Sequence, residues 1–212
     1  MDIAILLYDK VVALDAIGPY EVLDNLPGAA VTFVATEPGP KRTERGSLAL
    51  IADRALHELP HPDVVVVPGA VGTPGPVADL AVHAWLRAAH QAGAWVASVC
   101  SGALILGAAG LLEGKRATTN WLELERLPAL GAVPLTQRFV VDGTVVTAAG
   151  VTAGIDMALG LAARLAGDEV AQTIQLGLEY DPQPPFDAGS PHKAPAWAVA
   201  SLRAWRQRVL AG

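Results

Sequence analysis

The chain has 212 residues, 52% of them hydrophobic and 17% charged, so it can build one sizeable core without a second domain. Its net charge of −6 disfavours nucleic acid as the main partner, because phosphate binding needs a basic face. The N-terminus has neither a basic start nor a cleavage site, and no uninterrupted apolar run reaches the ~18 residues of a membrane helix. The single cysteine allows no internal disulfide, which suits a cytoplasmic protein.

The first half of the chain alternates short β-branched runs with helical patterns. Strands are predicted at 3–7, 31–35, 63–67 and 94–99, and helices at 17–26, 76–92 and 102–112. Strands that are apolar throughout and separated by helices indicate a mostly parallel sheet with helices on both faces.

The second half adds a hairpin and a helical C-terminal region. Runs at 138–141 and 144–147 flank Asp142-Gly143, a strong hairpin turn signal, and 47–52 is a further short strand. Helices are predicted at 151–165 and 168–179. A proline-rich segment, 180–195, precedes a helix at 196–210.

The last helix carries an apolar stripe that should dock on something. Trp197, Leu202, Trp205 and Val209 lie at helical spacing. We therefore expect a single domain over 1–212, in which 180–212 form an ordered arm and helix that wrap a partner subunit.

The only cysteine, Cys100, follows the run 94–99 and precedes a helix of small residues that begins at Gly102. Such a sharp turn resembles the nucleophile elbow of hydrolases, with Cys in place of Ser. The free N–H groups and the dipole of the new helix favour the thiolate, which is the nucleophilic form. The alternative is a buried core cysteine, since free Cys is among the most buried residue types.

Asp15 lies in a loop at the same edge of the predicted sheet, where open parallel sheets bind ligands. Gly18-Pro19 follows it and is expected to open the next helix. Local sequence favours an ordinary helix cap over a carboxyl that moves a proton beside the Cys100 sulfur. Glu21 is a second candidate acid.

The segment Gly69-Ala70-Val71-Gly72 leaves the third strand at this edge. Its small residues let backbone N–H groups approach a ligand and stabilise developing negative charge. The alternative is a plain turn, because a pair of glycines is weak evidence.

The five histidines are His57, His61, His83, His90 and His192, and none has metal-ligand spacing. His83 and His90 share one helix and are expected at the surface. We expect no metal site.

Five segments resemble the ThiJ/PfpI superfamily, in the same order over essentially the whole chain. They read LDAIGPYEVL (14–23), VPG (67–69), VCSGA (99–103), RATTNW (116–121) and GVTAGID (150–156). The resemblance implies a flavodoxin-like three-layer α/β sandwich, a homodimer, and a nucleophile on a strained elbow. The segments QLGLEY (175–180) and PPFDAGSP (184–191) are similar to the C-terminal arm of the isonitrile hydratase branch.

This branch implies roles for individual residues. Its nucleophile falls on Cys100 and its acid on Asp15, and Ser101 would hold the substrate or intermediate. Residues expected to bind substrate are Gly69, Ala70, Gly72, Ile17, Asn120 and Trp121. The expected reaction converts an isonitrile, through a Cys100 thioimidate, to an N-substituted formamide, with no metal or organic cofactor.

Asn120 departs from the histidine that many relatives carry in the ATTHW stretch. Because Asn is not a general base near neutral pH, the departure weakens a glyoxalase or hydrolase that needs a Cys–His pair. It harms an Asp–Cys dyad much less. The other alternative is a redox or ligand sensor, since an exposed cysteine of low pKa oxidises readily.

Overall fold

The structure is a computed structural model that describes residues 1–72 and 74–211, so the last residue of the predicted arm, 212, lies outside it. The strands are β1 Asp2–Leu6, β2 Ala30–Ala35, β3 Gly39–Arg42, β4 Ala49–Ala52, β5 Arg54–Ala55, β6 Val64–Val67, β7 Trp95–Ser98, β8 Arg116–Ala117, β9 Val133–Pro134, β10 Phe139–Asp142 and β11 Val145–Ala148. The α-helices are α1 Ala13–Leu23, α2 Leu80–Gln91, α3 Gly102–Ala108, α4 Ala153–Ala166, α5 Asp168–Gly177 and α6 Ala196–Ala211.

A seven-stranded sheet forms the centre, in the order β10-β11-β7-β6-β1-β2-β5. All neighbouring strands are parallel except the β10–β11 pair. Strand β6 is four valines with no exposed surface, as a central strand covered by helices requires. Helix α4 packs against both α1 and α5, and α2 packs against α3. The predicted flavodoxin-like α/β sandwich is confirmed.

Helix α1 begins at Ala13 rather than at residue 17, so the predicted loop position of Asp15 is wrong. Asp15 lies in the first helical turn and does not cap the helix, because the N-cap residue is Val12. Pro19 lies inside the helix rather than at its start. A side chain at Gly18 would come within 3.1 Å of Ile155, so close packing of α1 on α4 accounts for the glycine there.

The hairpin of β10 and β11 is confirmed, with a turn one residue further on. Asp142 pairs with Val145, so Gly143 and Thr144 connect the strands, and Gly143 has a φ of 64°. Strand β4 pairs with β3 outside the main sheet. Strand β3 was not predicted, because its sequence GPKR has no apolar alternation.

The C-terminal region is largely exposed, and α6 lies against the domain by one side. Residues 181–189 are exposed and form neither helix nor strand. Trp197 is 75% exposed and Leu202 is 47% exposed, whereas Arg206 is buried. The predicted apolar stripe therefore does not dock as a whole on its own chain. Every helix within the described residues is too short or too polar to cross a membrane.

Candidate active site

Cys100 occupies a strained turn between β7 and α3, as predicted. Its φ of 56° is in the left-handed region, which costs energy for a residue with a side chain. The hydroxyl of Thr119 donates to the Cys100 carbonyl oxygen at 2.7 Å and holds the turn. At Gly102 a Cβ atom would collide with the carbonyl oxygen of Val67, so only glycine lets α3 begin this close to β6.

Asp15 is completely buried and lies close enough to the Cys100 side chain for each group to act on the pKa of the other. Its Oδ2 atom accepts a hydrogen bond of 2.9 Å from the Gly69 N–H. Its Oδ1 atom has no hydrogen-bond partner within the described residues. A buried carboxyl oxygen without a donor is costly, so this atom is available to a bound molecule.

The acid and the thiol both have pKa values above their ordinary range. Burial raises the pKa of Asp15 to about 7, against the hydrogen bond from Gly69 and together with the charge of Glu44. Burial, and then the charge of Asp15, also raise the pKa of the Cys100 thiol. The sequence predicts that the helix N-terminus favours the thiolate, and this contribution is present but does not dominate. The Ser101 N–H does lower the thiol pKa, but desolvation outweighs it.

Two N–H groups of the loop at 69–72, where the sequence suggested a site for negative charge, already have partners within the chain. The Gly69 N–H binds Asp15, and the Ala70 N–H donates to the Ser101 hydroxyl oxygen at 2.9 Å. The same Ser101 hydroxyl donates to the Ala70 carbonyl oxygen at 2.8 Å. Ser101 therefore clamps this loop to the cysteine turn, and a Cβ atom at Gly69 would lie 2.6 Å from Ser101.

Asn120 lies close enough to Cys100 for its side chain to lower the pKa of the thiol. Its Oδ1 atom accepts a 3.0 Å bond from the Leu122 N–H, which leaves the amide NH₂ as the group that can face the thiol. Trp121, the next residue, is half-buried and carries the Arg203 guanidinium 5.4 Å from its ring centroid.

The remaining predicted residues lie on the neighbouring segments. Ile17 is half-buried on α1, and Gly72 has a φ of 84° in the loop after β6. Their place in a substrate pocket stays a prediction. Glu21 is exposed, which separates it from the buried pair. His83 is buried rather than exposed, with Nε2 3.0 Å from the Pro76 carbonyl oxygen.

Sequence reasoning missed two groups beside the pair. Tyr8 follows β1 and donates to the Pro68 carbonyl oxygen at 2.8 Å. Its pKa is raised by burial and by the charges of Asp15 and Cys100. Glu123 is buried close enough for its charge to act on Cys100. The position of Tyr8 at the carboxyl end of a strand was a usable signal, whereas Glu123 had none.

Within residues 1–72 and 74–211, no cluster of three or more His, Cys, Asp or Glu side chains could hold a metal ion. The groups around Cys100 are instead suited to proton transfer beside a nucleophile. A carboxyl whose pKa is near 7 takes both protonation states under ordinary conditions.

The fold and the site define an α/β protein with a cysteine elbow at the carboxyl edge of a parallel sheet. The DJ-1/PfpI family pattern matches residues 1–164, and the chain belongs to the DJ-1/PfpI family.

Comparison with individual proteins narrows the likeness. The chain is 44% identical over 203 residues to the isonitrile hydratase of Pseudomonas putida, covering 96% of this chain and 89% of that protein. A crystal structure of a ThiJ/PfpI family protein from Pseudomonas syringae is 36% identical, with a TM-score of 0.92 over 98% of this chain and 86% of that one. An oxidized DJ-1 of Toxoplasma gondii is 25% identical, with a TM-score of 0.75 over 85% and 99% of the two chains.

Proposed function

We propose that this chain is an isonitrile hydratase, which adds water to an isonitrile and releases an N-substituted formamide. Cys100 is the nucleophile and Asp15 is the general acid and base. The observation that carries the proposal is the buried Asp15 carboxyl beside Cys100: its pKa is raised to about 7, and its Oδ1 atom has no hydrogen-bond partner within the described residues. The 44% identity to an isonitrile hydratase supports the choice of substrate class.

In the first step, the sulfur of Cys100 attacks the terminal carbon of the isonitrile. Asp15 accepts the thiol proton and passes it to the same carbon, so a C–S and a C–H bond form and the product is a thioimidate. The raised thiol pKa makes this transfer necessary, because a free thiolate is scarce in the resting site. The raised pKa of Asp15 makes it possible, since acid and base forms are close in energy.

In the second step, Asp15 removes a proton from water as the water oxygen adds to the thioimidate carbon. The proton goes to the nitrogen, which gives a tetrahedral intermediate. Loss of the hydroxyl proton and cleavage of the C–S bond then release the formamide and regenerate the thiol of Cys100. The unpartnered Oδ1 atom of Asp15 is the atom we assign to the water.

The substituent of the isonitrile needs an apolar contact surface. Ile17 and Trp121 are half-buried on segments that flank the pair, and both suit such a substituent. Asn120 supports Asp–Cys chemistry rather than Cys–His chemistry, because its side chain lowers the pKa of the thiol and takes no proton. Ser101 shapes the site by clamping Ala70.

The proposal also includes a homodimer in the cytoplasm. Large apolar side chains remain exposed on α5, the arm and α6, at Leu176, Phe186 and Trp197. Exposed apolar side chains of this size are typical of a surface that a second subunit covers. The lone, unpaired Cys100 supports a reducing compartment.

The test is formamide production from cyclohexyl isocyanide by purified protein, beside two variants. Cys100→Ala should lose turnover, whereas Ser98→Ala should keep it. Ser98 is a matched control, because it is buried two residues before Cys100, at the end of β7, and its hydroxyl has no hydrogen-bond partner within the described residues. Formamide made at the normal rate by folded Cys100→Ala would contradict the mechanism. No formamide from folded wild-type protein, with lactate made from methylglyoxal instead, would contradict the function.

A further inference from the structure

A buried ion pair links the C-terminal helix to the turn that carries Asn120. Glu123 is 4% exposed and Arg206 is 6% exposed, and the Arg206 Nε atom binds the Glu123 Oε1 atom. The other carboxylate oxygen, Oε2, accepts from Arg126 Nη1 at 2.9 Å. Charged side chains are almost never buried to this extent unless they are paired, so α6 supplies a charge that this turn requires.

The pair is connected to the cysteine by one residue. The backbone N–H of Glu123 donates to the Asn120 carbonyl oxygen at 2.8 Å, and the Asn120 side chain lowers the pKa of the Cys100 thiol. The position of Glu123 therefore helps to fix the turn whose amide side chain acts on the sulfur.

Helix α6 makes two more contacts with the surroundings of the site. Arg203 lies over the ring of Trp121, and Val209 lies 3.5 Å from the Cβ position of Gly72. Both contacted residues belong to segments that we expect to line the substrate pocket. The contacts of α6 are thus concentrated on one side of the active site.

We propose that Arg206 is a positioning residue of the active site, which neutralises the buried Glu123 carboxylate and holds the Asn120 turn against Cys100. The inference rests on the proposed role of Cys100 as the nucleophile. It extends the site to Arg206 on α6, which lies 83 residues further along the chain than Glu123.

The physical reason is the sign of the charges around the sulfur. The charged groups that act on Cys100 are Asp15 on α1 and Glu123 in the 118–127 segment; Cys100 in turn acts on Tyr8 after β1, and Glu44 acts on Asp15. All four are acids, so every ionised neighbour opposes the thiolate. After burial and Asp15, the charge of Glu123 is a further cause of the raised Cys100 pKa. Arg206 and Arg126 are the cations that offset Glu123.

The test is the pH dependence of Cys100 alkylation by iodoacetamide, which reports the thiolate fraction without any isonitrile. Arg206→Met should slow alkylation by roughly threefold to tenfold near pH 8, because it leaves Glu123 less compensated. Glu123→Gln should accelerate alkylation by a similar factor, since it leaves the Arg206 cation. The double variant should return close to wild type.

Arg208→Met is the matched control, because it removes the same charge from an exposed position of the same helix. It should leave the alkylation profile unchanged. Equal profiles for folded Arg206→Met and Arg208→Met would overturn the inference. If Arg206→Met fails to fold, Glu123→Gln decides, and an unchanged profile there would overturn the inference equally.

Formamide production is then measured on the same variants. A shifted alkylation profile with no isonitrile turnover in wild type would contradict the proposed function and leave the role of Arg206 standing. Normal turnover in wild type with unshifted alkylation profiles in all variants would overturn the role of Arg206 and leave the proposed function standing.

Discussion

The surroundings of Cys100 and the C-terminal region differ in how completely they are buried. Around the cysteine, buried groups from separate segments bond to one another, as in the Ser101–Ala70 and Asp15–Gly69 contacts, and the Asp15 Oδ1 atom is left without a partner within the described residues. In the C-terminal region, Phe186 is 78% exposed and the segment 181–189 is open to solvent along its length.

The site of Cys100 is therefore built from contacts within one chain, whereas the C-terminal region keeps large apolar side chains exposed. The catalytic pair is held by close contacts between segments that lie far apart in sequence, so its geometry should be rigid and sensitive to small changes. The C-terminal arm has apolar surface without a cover, so its changes should act on assembly. Arg206 is the exception, because it lies in the second region and serves the first.

The largest difference in stability between the two regions is expected when a single methyl group is added to each. Gly102→Ala adds a Cβ atom that collides with Val67, and it should cost about 3 kcal/mol or more and lower the melting temperature by about 10 °C. Gly189→Ala meets nothing within 4 Å and lies in the exposed segment 181–189, so it should change stability by less than about 1 kcal/mol. Thermal unfolding of both variants measures this difference. Similar decreases in melting temperature for the two variants would contradict the close packing of the cysteine site.

Asp15→Asn should separate catalysis from stability. It should lower kcat by about 10²- to 10⁴-fold, because the amide takes no proton. Folding raises the Asp15 pKa from 3.8 to about 7, so the native state holds more protons than the unfolded state between these values. Stability from this group therefore falls as pH rises through that window.

The Asn variant lacks this penalty, so its melting temperature should match or exceed that of wild type near pH 8. Melting curves near pH 5 and pH 8, with formamide assays alongside, test both effects. A variant that is less stable at both pH values and still fully active would show that Asp15 is structural.

The smallest effect on the single chain is expected from the exposed arm. Phe186→Ser combined with Trp197→Ser should convert the proposed dimer to a monomer and leave the chain folded. Light scattering after gel filtration measures the change in mass. Ile51→Ser is the control, because Ile51 is 63% exposed on β4, outside the C-terminal region. Dissociation by the control and not by the arm variant would place the interface elsewhere.

Much of the central sheet could be predicted from the sequence, because its strands are apolar runs such as Val64–Val67 that leave little choice of environment. The start of α1 could not. Gly18 and Pro19 read as a helix boundary, and their presence inside the helix depends on Ile155, which is remote in sequence.

The site was predictable where a local turn carried the signal, as at Cys100. It was not predictable where two remote side chains meet. Glu123 and Arg206 lie 83 residues apart, and each alone reads as a solvated charge. The occupied N–H groups of Gly69 and Ala70 were missed for the same reason, since their acceptors come from α1 and from the cysteine turn.

The proposed mechanism requires Asp15 and Cys100 to share one proton during turnover. The pH dependence of kcat/KM with cyclohexyl isocyanide tests it most directly, in wild type and Asp15→Asn. We predict a wild-type rate that rises as pH increases through an apparent pKa of about 7, and loss of this limb in Asp15→Asn. A flat wild-type profile from about pH 5 to 9, or an unchanged limb in Asp15→Asn, would show that Asp15 does not carry this proton.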